Sequence, residues 1–313
     1  VTDETETEID DQKTRLSTKE HGDYDTTQLR SASYGFRVHR DYLAHVLRWG
    51  WAGRFIGQTA GKARRVLEPG CGQDLPLFKV MSVMQSYLPD KYVGVDLNSI
   101  PFVAKRKPGT YKWADVRDKF NFVEQWPELH GEYGSVFDLA VSFEVIEHMK
   151  VEAGDQYLHG IHELLQPGGR LLLSTPVFNG AKARNHIHEY EVAELYEKIT
   201  AAGFMVARRY GTFANYRDIK AAVADSSDAG VKAAWETYER LLEFYDHSLL
   251  ACFLAPLFPD ASRNNAWVCF KPTGDPETDR KMQVDEAFIA PAEHAEVLAE
   301  QIDAERKPAS GGE

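Results

Sequence analysis

Residues 65–72 read RVLEPGCG, and no other stretch constrains the fold as much. A short apolar run, Val66 and Leu67, ends in the acid Glu68, and two glycines, Gly70 and Gly72, follow on either side of Cys71. Beyond them Leu75, Leu77, Phe78, Val80, Met81 and Met84 take up helical spacing, so the stretch reads as strand, tight turn and helix, the helix over about 75–87. Further on, a second apolar run, Tyr92 to Val95, ends in Asp96. Glycine lets a backbone fold tightly and approach a ligand closely. An acid closing the next strand can accept hydrogen bonds from two ribose hydroxyls. Together these features predict an adenosine-like site at the carboxyl edge of a parallel sheet.

The type of ligand follows from what the turn lacks. A dinucleotide fingerprint needs a third glycine at position 75, where Leu75 stands, and no Gly-Lys-Ser/Thr follows to make a phosphate loop. Glu68 would repel phosphate and favour a cation. On these residues the sequence resembles the class I S-adenosylmethionine-dependent methyltransferases, whose acid-then-G-x-G motif is matched by Glu68, Gly70 and Gly72 and whose second acid is matched by Asp96. The run LLQPGGRLLLSTP also resembles this family's approach to its fifth strand. The resemblance implies an α/β, Rossmann-like fold with a seven-stranded sheet and an antiparallel last strand. It implies S-adenosylmethionine as cofactor, held by Glu68, Gly70, Cys71, Gly72, Asp96, Leu97, Asp115, Val116, Ser142 and Glu144, with Asp115 near the adenine amino group and Trp113 and Val116 flanking the ring.

Hydrophobic residues make up 43% of the 313 positions, enough for a sizeable core. No apolar run reaches the ~18 residues of a membrane span, and the opening VTDETETEIDDQK carries no signal-like stretch. Cys71, Cys252 and Cys269 form neither a C-x-x-C motif nor a disulfide framework. A cytoplasmic chain without membrane association is the expectation. The net charge of −12 is concentrated at the ends: residues 1–30 hold nine acids against four bases and 275–313 eleven against four, which leaves 31–274 neutral. A neutral body argues against a long nucleic-acid duplex, whose binding leans on many Lys and Arg contacts. A small molecule or a terminal nucleotide remains.

In chain order, the acidic residues 1–30 are expected to be disordered. Residues 31–60 read as a helical cap, either covering the sheet or reaching the cofactor through Tyr34, Arg37 or Arg40. Residues 61–274 alternate strand and helix: strands at 65–68, 92–96, about 112–114, 137–142, 170–174, about 204–210 and 266–271, with helices near 99–106, 152–165 and 189–202. Between the last two strands, where the family has a tight hairpin, residues 213–263 form a helical insertion suited to a lid or a homodimer contact. Residues 275–313 read as an acidic tail with one helix near 284–304.

Methyl transfer from a sulfonium is an in-line displacement, so the chain must position a nucleophile and arrange removal of its proton. Two clusters follow the fourth and fifth strands: Glu144, Glu147 and His148 in FEVIEHM, and Asn185, His186, His188, Glu189 and Tyr190 in NHIHEYE. A helical turn starting at Glu144 would set Glu144, Glu147 and His148 on one face, a set that with a further histidine suits Mg²⁺, Mn²⁺ or Zn²⁺. This resembles the metal-dependent ubiquinone-pathway O-methyltransferases and the small-RNA 3′-end 2′-O-methyltransferases, which implies Glu144, Glu147, His148 and His186 as metal ligands. Asn185 and Tyr190 depart from the Asp and Trp of the RNA branch. Without a metal, His148, His186 or His188 is a general base or a hydrogen-bonded structural residue. After the fourth strand stands Ser-Phe-Glu-Val, not the proline-rich motif of base amino-methylation, and no Pro-Cys pair occurs, so nucleobase methylation is disfavoured. The reading is O-methylation of a small molecule or of a sugar or nucleotide unit. The alternatives are 2′-O-methylation of RNA ends and a cofactor-binding scaffold.

Overall fold

The computed structural model describes residues 40–58, 64–83, 88–101, 111–241 and 247–285. The expected N-terminal disorder, Tyr34, Arg37, most of the helix near 99–106 and nearly all of the one near 284–304 lie outside these residues. The chain enters through helix α1, Arg40–Gln58. Every fourth side chain, Ala44, Arg48, Ala52 and Ile56, is buried, the stripe that a 3.6-residue period lays along one face. An arginine therefore sits in an otherwise apolar row.

After α1 come β1 (Arg65–Pro69), α2 (Pro76–Val83), β2 (Lys91–Val95) and β3 (Ala114–Arg117). Then follow α3 (Phe122–Tyr133), β4 (Phe137–Phe143), α4 (Val151–Leu164), β5 (Leu165–Pro176), α5 (Val192–Ala201) and β6 (Met205–Phe213). The insertion contributes α6 (Tyr216–Asp225), α7 (Ala229–Leu241) and α8 (His247–Leu254), after which β7 (Asn264–Phe270) and α9 (Pro276–Asp285) close the described chain. The seven strands are ordered β3-β2-β1-β4-β5-β7-β6. β7 runs antiparallel to both β5 and β6, and the pairs among β1 to β5 are parallel. This is the doubly wound α/β sheet, with its carboxyl edge at the ends of β1, β2, β4 and β5.

Successive strand residues face opposite sides, and the core divides accordingly. Leu67, Val93, Val95, Ala140 and Leu171 pack with Leu129, Tyr157, Leu158 and Ile199 of α3, α4 and α5 on one face. Val66, Tyr92, Leu139, Val141 and Leu172 pack with Ala52, Ile56, Phe78 and Met81 of α1 and α2 on the other. The insertion has its own small core of Ala214, Ile219, Val223, Trp235, Leu250, Ala251 and Ala255. Trp235 is buried there, whereas Tyr238 and Leu241 of the same helix, α7, are exposed. No described helix is long and apolar enough to cross a membrane.

Three boundaries differ from the sequence reading in ways that matter. β3 begins at Ala114, where the reading ended it, so Asp115 lies within the strand. β5 begins at Leu165, before the Pro-Gly-Gly turn signal, because Leu165 already pairs with Phe137 of β4. The segment before β4, given no element from sequence, is helix α3, whose first turn is capped by the Asn121 side chain accepting from Val123 N at 3.2 Å.

Gly211 tests the joint between sheet and insertion. A Cβ there would collide with the Ala255 carbonyl and the Ser262 hydroxyl, so Gly211→Ala should lower the unfolding free energy by about 1–3 kcal/mol. Gly131 in α3 has open space around it, and Gly131→Ala should raise stability by up to ~1 kcal/mol. Chemical denaturation of the two variants checks both signs.

Candidate active site

β1 and β2 end side by side, and the turn after β1 is fastened to the end of β2. Gly70 N and Cys71 N both donate to Val95 O, at 2.8 and 3.1 Å. The turn needs left-handed backbone, with φ of 78° at Gly70 and 71° at Gly72. A side chain at position 70 would run into Val145, so glycine is required there by conformation and by space. Asp96 turns back to finish the link, its Oδ2 accepting from Gly72 N at 2.9 Å and its Oδ1 from Asn98 N at 2.8 Å.

A cleft of about 290 Å³ opens at this edge. Gly70, Cys71, Gly72, Asp96 and the exposed Leu97 line one part; Phe120, Asn121, Phe122 and Val123 another; Trp49, Phe143, Glu144, Val145, His148 and Met149 a third. Among the described lining residues the charged groups are Asp74, Asp96 and Glu144, with no Lys or Arg. That lining suits a cationic ligand and opposes a pyrophosphate.

Glu68 stands behind the turn rather than in the lining. It is buried, accepts a hydrogen bond from the Tyr92 hydroxyl on Oε2, and its buried Oε1 has no hydrogen-bond partner. Burial pushes the Glu68 carboxyl well above the usual carboxylate range, against the Tyr92 hydrogen bond. Burial also raises the Cys71 thiol, with Glu68 and Asp96 adding to it, so Cys71 is a packing residue rather than a nucleophile. Ser142 is likewise behind the cleft: its hydroxyl lies 2.7 Å from that of Tyr157, which donates to Pro69 O at 3.0 Å and itself lines the cleft.

Asp115 and Val116, expected beside an adenine, are not in the lining. Because β3 starts later than read, Asp115 is held in the sheet, where its Oδ2 accepts from Arg117 Nη2 at 2.7 Å and from the Tyr133 hydroxyl at 2.8 Å. Burial would raise its pKa, but these two partners bring it below the usual value. Val116 is in the core on the Tyr92 face. Residues 120–123 border the cleft instead, and Phe120 N donates to Asp96 O at 2.9 Å. The Asn-capped start of α3 was the overlooked signal.

The acid–histidine cluster is partly brought together. Residues 146–148 form a single 3₁₀ turn, and one ligand atom each from Glu147, His148 and His186 lie within 4.8 Å of one another. Glu144 is not among them. Its left-handed backbone, φ 58°, turns the carboxylate away to Arg48 Nη1 at 2.6 Å and Asn264 Nδ2 at 2.8 Å. The helical turn that would have aligned 144 with 147 and 148 does not form. His188 is also apart, with Nε2 2.8 Å from Glu194 Oε1 at the start of α5.

The histidines of the cluster are oriented from behind. His148 Nδ1 lies 3.1 Å from Asn185 O, and His186 Nδ1 lies 2.5 Å from Glu189 Oε1. A carbonyl or carboxylate oxygen only accepts, so each Nδ1 carries a proton. Glu147 is fully buried, with Oε2 accepting from Thr175 Oγ1 at 3.0 Å and Oε1 without a hydrogen bond, 3.8 Å from His148 Nε2. Burial first, and repulsion from Glu144 second, push the Glu147 carboxyl well up.

The family described as a methyltransferase domain matches residues 37–218. The chain belongs to the class I S-adenosylmethionine-dependent methyltransferases. A protein of Mycolicibacterium smegmatis described as a probable S-adenosylmethionine-dependent methyltransferase is 31% identical over 195 residues, 59% of this chain and 65% of that protein. The chain thus spans under two thirds of that relative's length. Among solved structures, an S-adenosylmethionine-dependent methyltransferase from Archaeoglobus fulgidus is 17% identical, covering 78% of this chain and 98% of that one with a TM-score of 0.47. A 1,6-didemethyltoxoflavin N1-methyltransferase from Burkholderia thailandensis is 18% identical over 78% and 85%, with a TM-score of 0.45. The acidic lining and bare glycine turn of this methyltransferase fit the family's cationic cofactor.

Two outcomes follow. Asp96→Ala should weaken binding of S-adenosylhomocysteine by roughly 1–3 kcal/mol, the cost of leaving polar groups unpaired, as calorimetry would register; an unchanged affinity removes the ribose role. Glu68 has its pKa raised in the fold, so the folded state holds the proton more tightly than the unfolded chain. Its contribution is present at low pH and is lost as pH rises above the ordinary carboxyl value. Glu68→Gln should therefore flatten the fall of unfolding temperature between acid and neutral pH.

Proposed function

We propose that the protein transfers the methyl group of S-adenosylmethionine to a hydroxyl oxygen of a small molecule, or of a sugar or nucleotide unit, at a site equipped for a divalent ion. The observation that carries this reading is the convergence of Glu147, His148 and His186 within 4.8 Å, beside a cleft that His148 also lines. Two imidazoles and one carboxylate form a donor set for Mn²⁺, Zn²⁺ or Mg²⁺. The unsatisfied Oε1 of Glu147 is the buried polar atom such an ion would satisfy. A bound divalent ion would lower the pKa of an acceptor hydroxyl and orient it.

The rest is done by the chain. Gly70 and Gly72 present bare backbone to the amino-acid end of the cofactor, and Asp96 takes the ribose hydroxyls. Glu189, which also accepts from Ala183 N at 2.9 Å, holds His186 in one tautomer and one orientation. Trp49 and Phe143, with ring centroids 4.9 Å apart, add an aromatic wall to the cleft. An oxygen acceptor suits this site because a bound divalent ion would help a hydroxyl, whose own pKa lies far above neutrality, to lose its proton.

Chelation by EDTA should abolish turnover, and added Mn²⁺ or Mg²⁺ should restore it. Glu189→Ala should reduce metal affinity or activity roughly 10–100-fold while the ligands themselves remain. Full turnover after chelation, in a screen of labelled methyl transfer to hydroxylated metabolites, would leave His148 as a general base instead.

A further inference from the structure

Arg48 is buried in the apolar stripe of α1, at 4% exposure, and the mechanism above gives it no task. Its Nη1 lies 2.6 Å from Glu144 Oε1, 3.0 Å from Asn264 Oδ1 and 3.3 Å from Ser174 Oγ. Glu144 also accepts from Ser174 Oγ at 2.9 Å and from Asn264 Nδ2 on both oxygens, at 2.9 and 2.8 Å. Asn264 Oδ1 takes a further bond from Thr212 Oγ1 at 2.6 Å. One charge pair thus joins α1, the end of β4, β5, and the two strand ends, Thr212 and Asn264, that bracket the helical insertion.

A buried ion pair is a poor device for stability alone, since an apolar pair of similar size commonly serves as well or better. This one sits at the cleft. Glu144 and Trp49, the residue after Arg48, both line it. Glu144 holds the left-handed backbone, φ 58°, that aims its carboxylate at Arg48. Position 144 must bend this way for the pair to form.

We infer that Arg48 is a positioning residue of this methyltransferase: by clamping Glu144 and Asn264 it sets Trp49 and the Glu144 carboxylate as the wall of the cofactor cleft, and ties the insertion to that wall. This rests on the assignment of the cleft to S-adenosylmethionine.

The test titrates S-adenosylhomocysteine calorimetrically into the wild-type protein, Arg48→Met, Arg48→Lys and the double variant Arg48→Met/Glu144→Leu, with the unfolding temperature of each. Arg48→Met strands the Glu144 charge and should lose both stability and at least tenfold in affinity. The double variant strands no charge: its unfolding temperature should return towards wild type while the affinity stays at least tenfold down. Arg48→Lys keeps the charge on a shorter side chain without the guanidinium Nη1 that reaches Glu144, Asn264 and Ser174, and should rescue the affinity partly. Wild-type affinity in the double variant would overturn the inference, because the pair would then serve the fold alone. If the wild-type protein itself fails to bind the by-product, the cleft assignment falls and the role of Arg48 falls with it.

Discussion

The site depends on the turn after β1 being fastened to the end of β2. Two amides, Gly70 N and Cys71 N, share the Val95 carbonyl, and Asp96 accepts from Gly72 N. These bonds make the adjacent ends of two parallel strands into one rigid edge. Both glycines adopt positive φ to reach it. Had either carried a side chain, the strain or the collision with Val145 would have opened the edge and removed the cleft. The helices around the sheet bury its two faces, but the site is this edge.

Three carboxyl groups lie near it, Glu68 and Glu147 buried and Glu144 partly buried, and each is accommodated differently. Glu68 is set against a tyrosine hydroxyl and held towards its protonated form by burial. Glu144 stays beside a guanidinium and a carboxamide that fill its acceptor positions. Glu147 receives one hydroxyl on Oε2 and leaves Oε1 without a hydrogen bond, towards two imidazoles. Burying a carboxyl without a partner is costly, so the two incomplete cases, Glu68 and Glu147, are the informative ones. Of those two, Glu147 is the one that lies with other metal-ligating side chains, His148 and His186.

Much of the fold was legible. The spacing of Gly70 and Gly72, the acids closing β1 and following β2, and the alternation of apolar runs with helical periods all report local geometry, which neighbouring residues dictate. Three of the four residues taken as a metal set, Glu147, His148 and His186, meet in space. Two readings failed for a common reason. The resemblance implied Asp115 beside the adenine, as the acid following a third strand that was ended too early, and Glu144 was put with Glu147 because a regular helical turn was assumed. In each case a tertiary contact accompanies the departure: pairing of β3 with β2 from Tyr92 onward, and the ion pair of Glu144 with Arg48.

The sequence by itself determined the strand–turn–helix at the cofactor edge, the acids that end its strands and the order of the sheet's pieces, because these rest on backbone conformation and on periods of two and 3.6 residues. Tertiary structure alone decided which polar groups share a site. Arg48 lies 96 positions from Glu144, and Glu144 lies 120 from Asn264. Such pairs leave no periodic trace in the chain, since nothing local in a helix stripe distinguishes an arginine that faces solvent from one that closes a buried network.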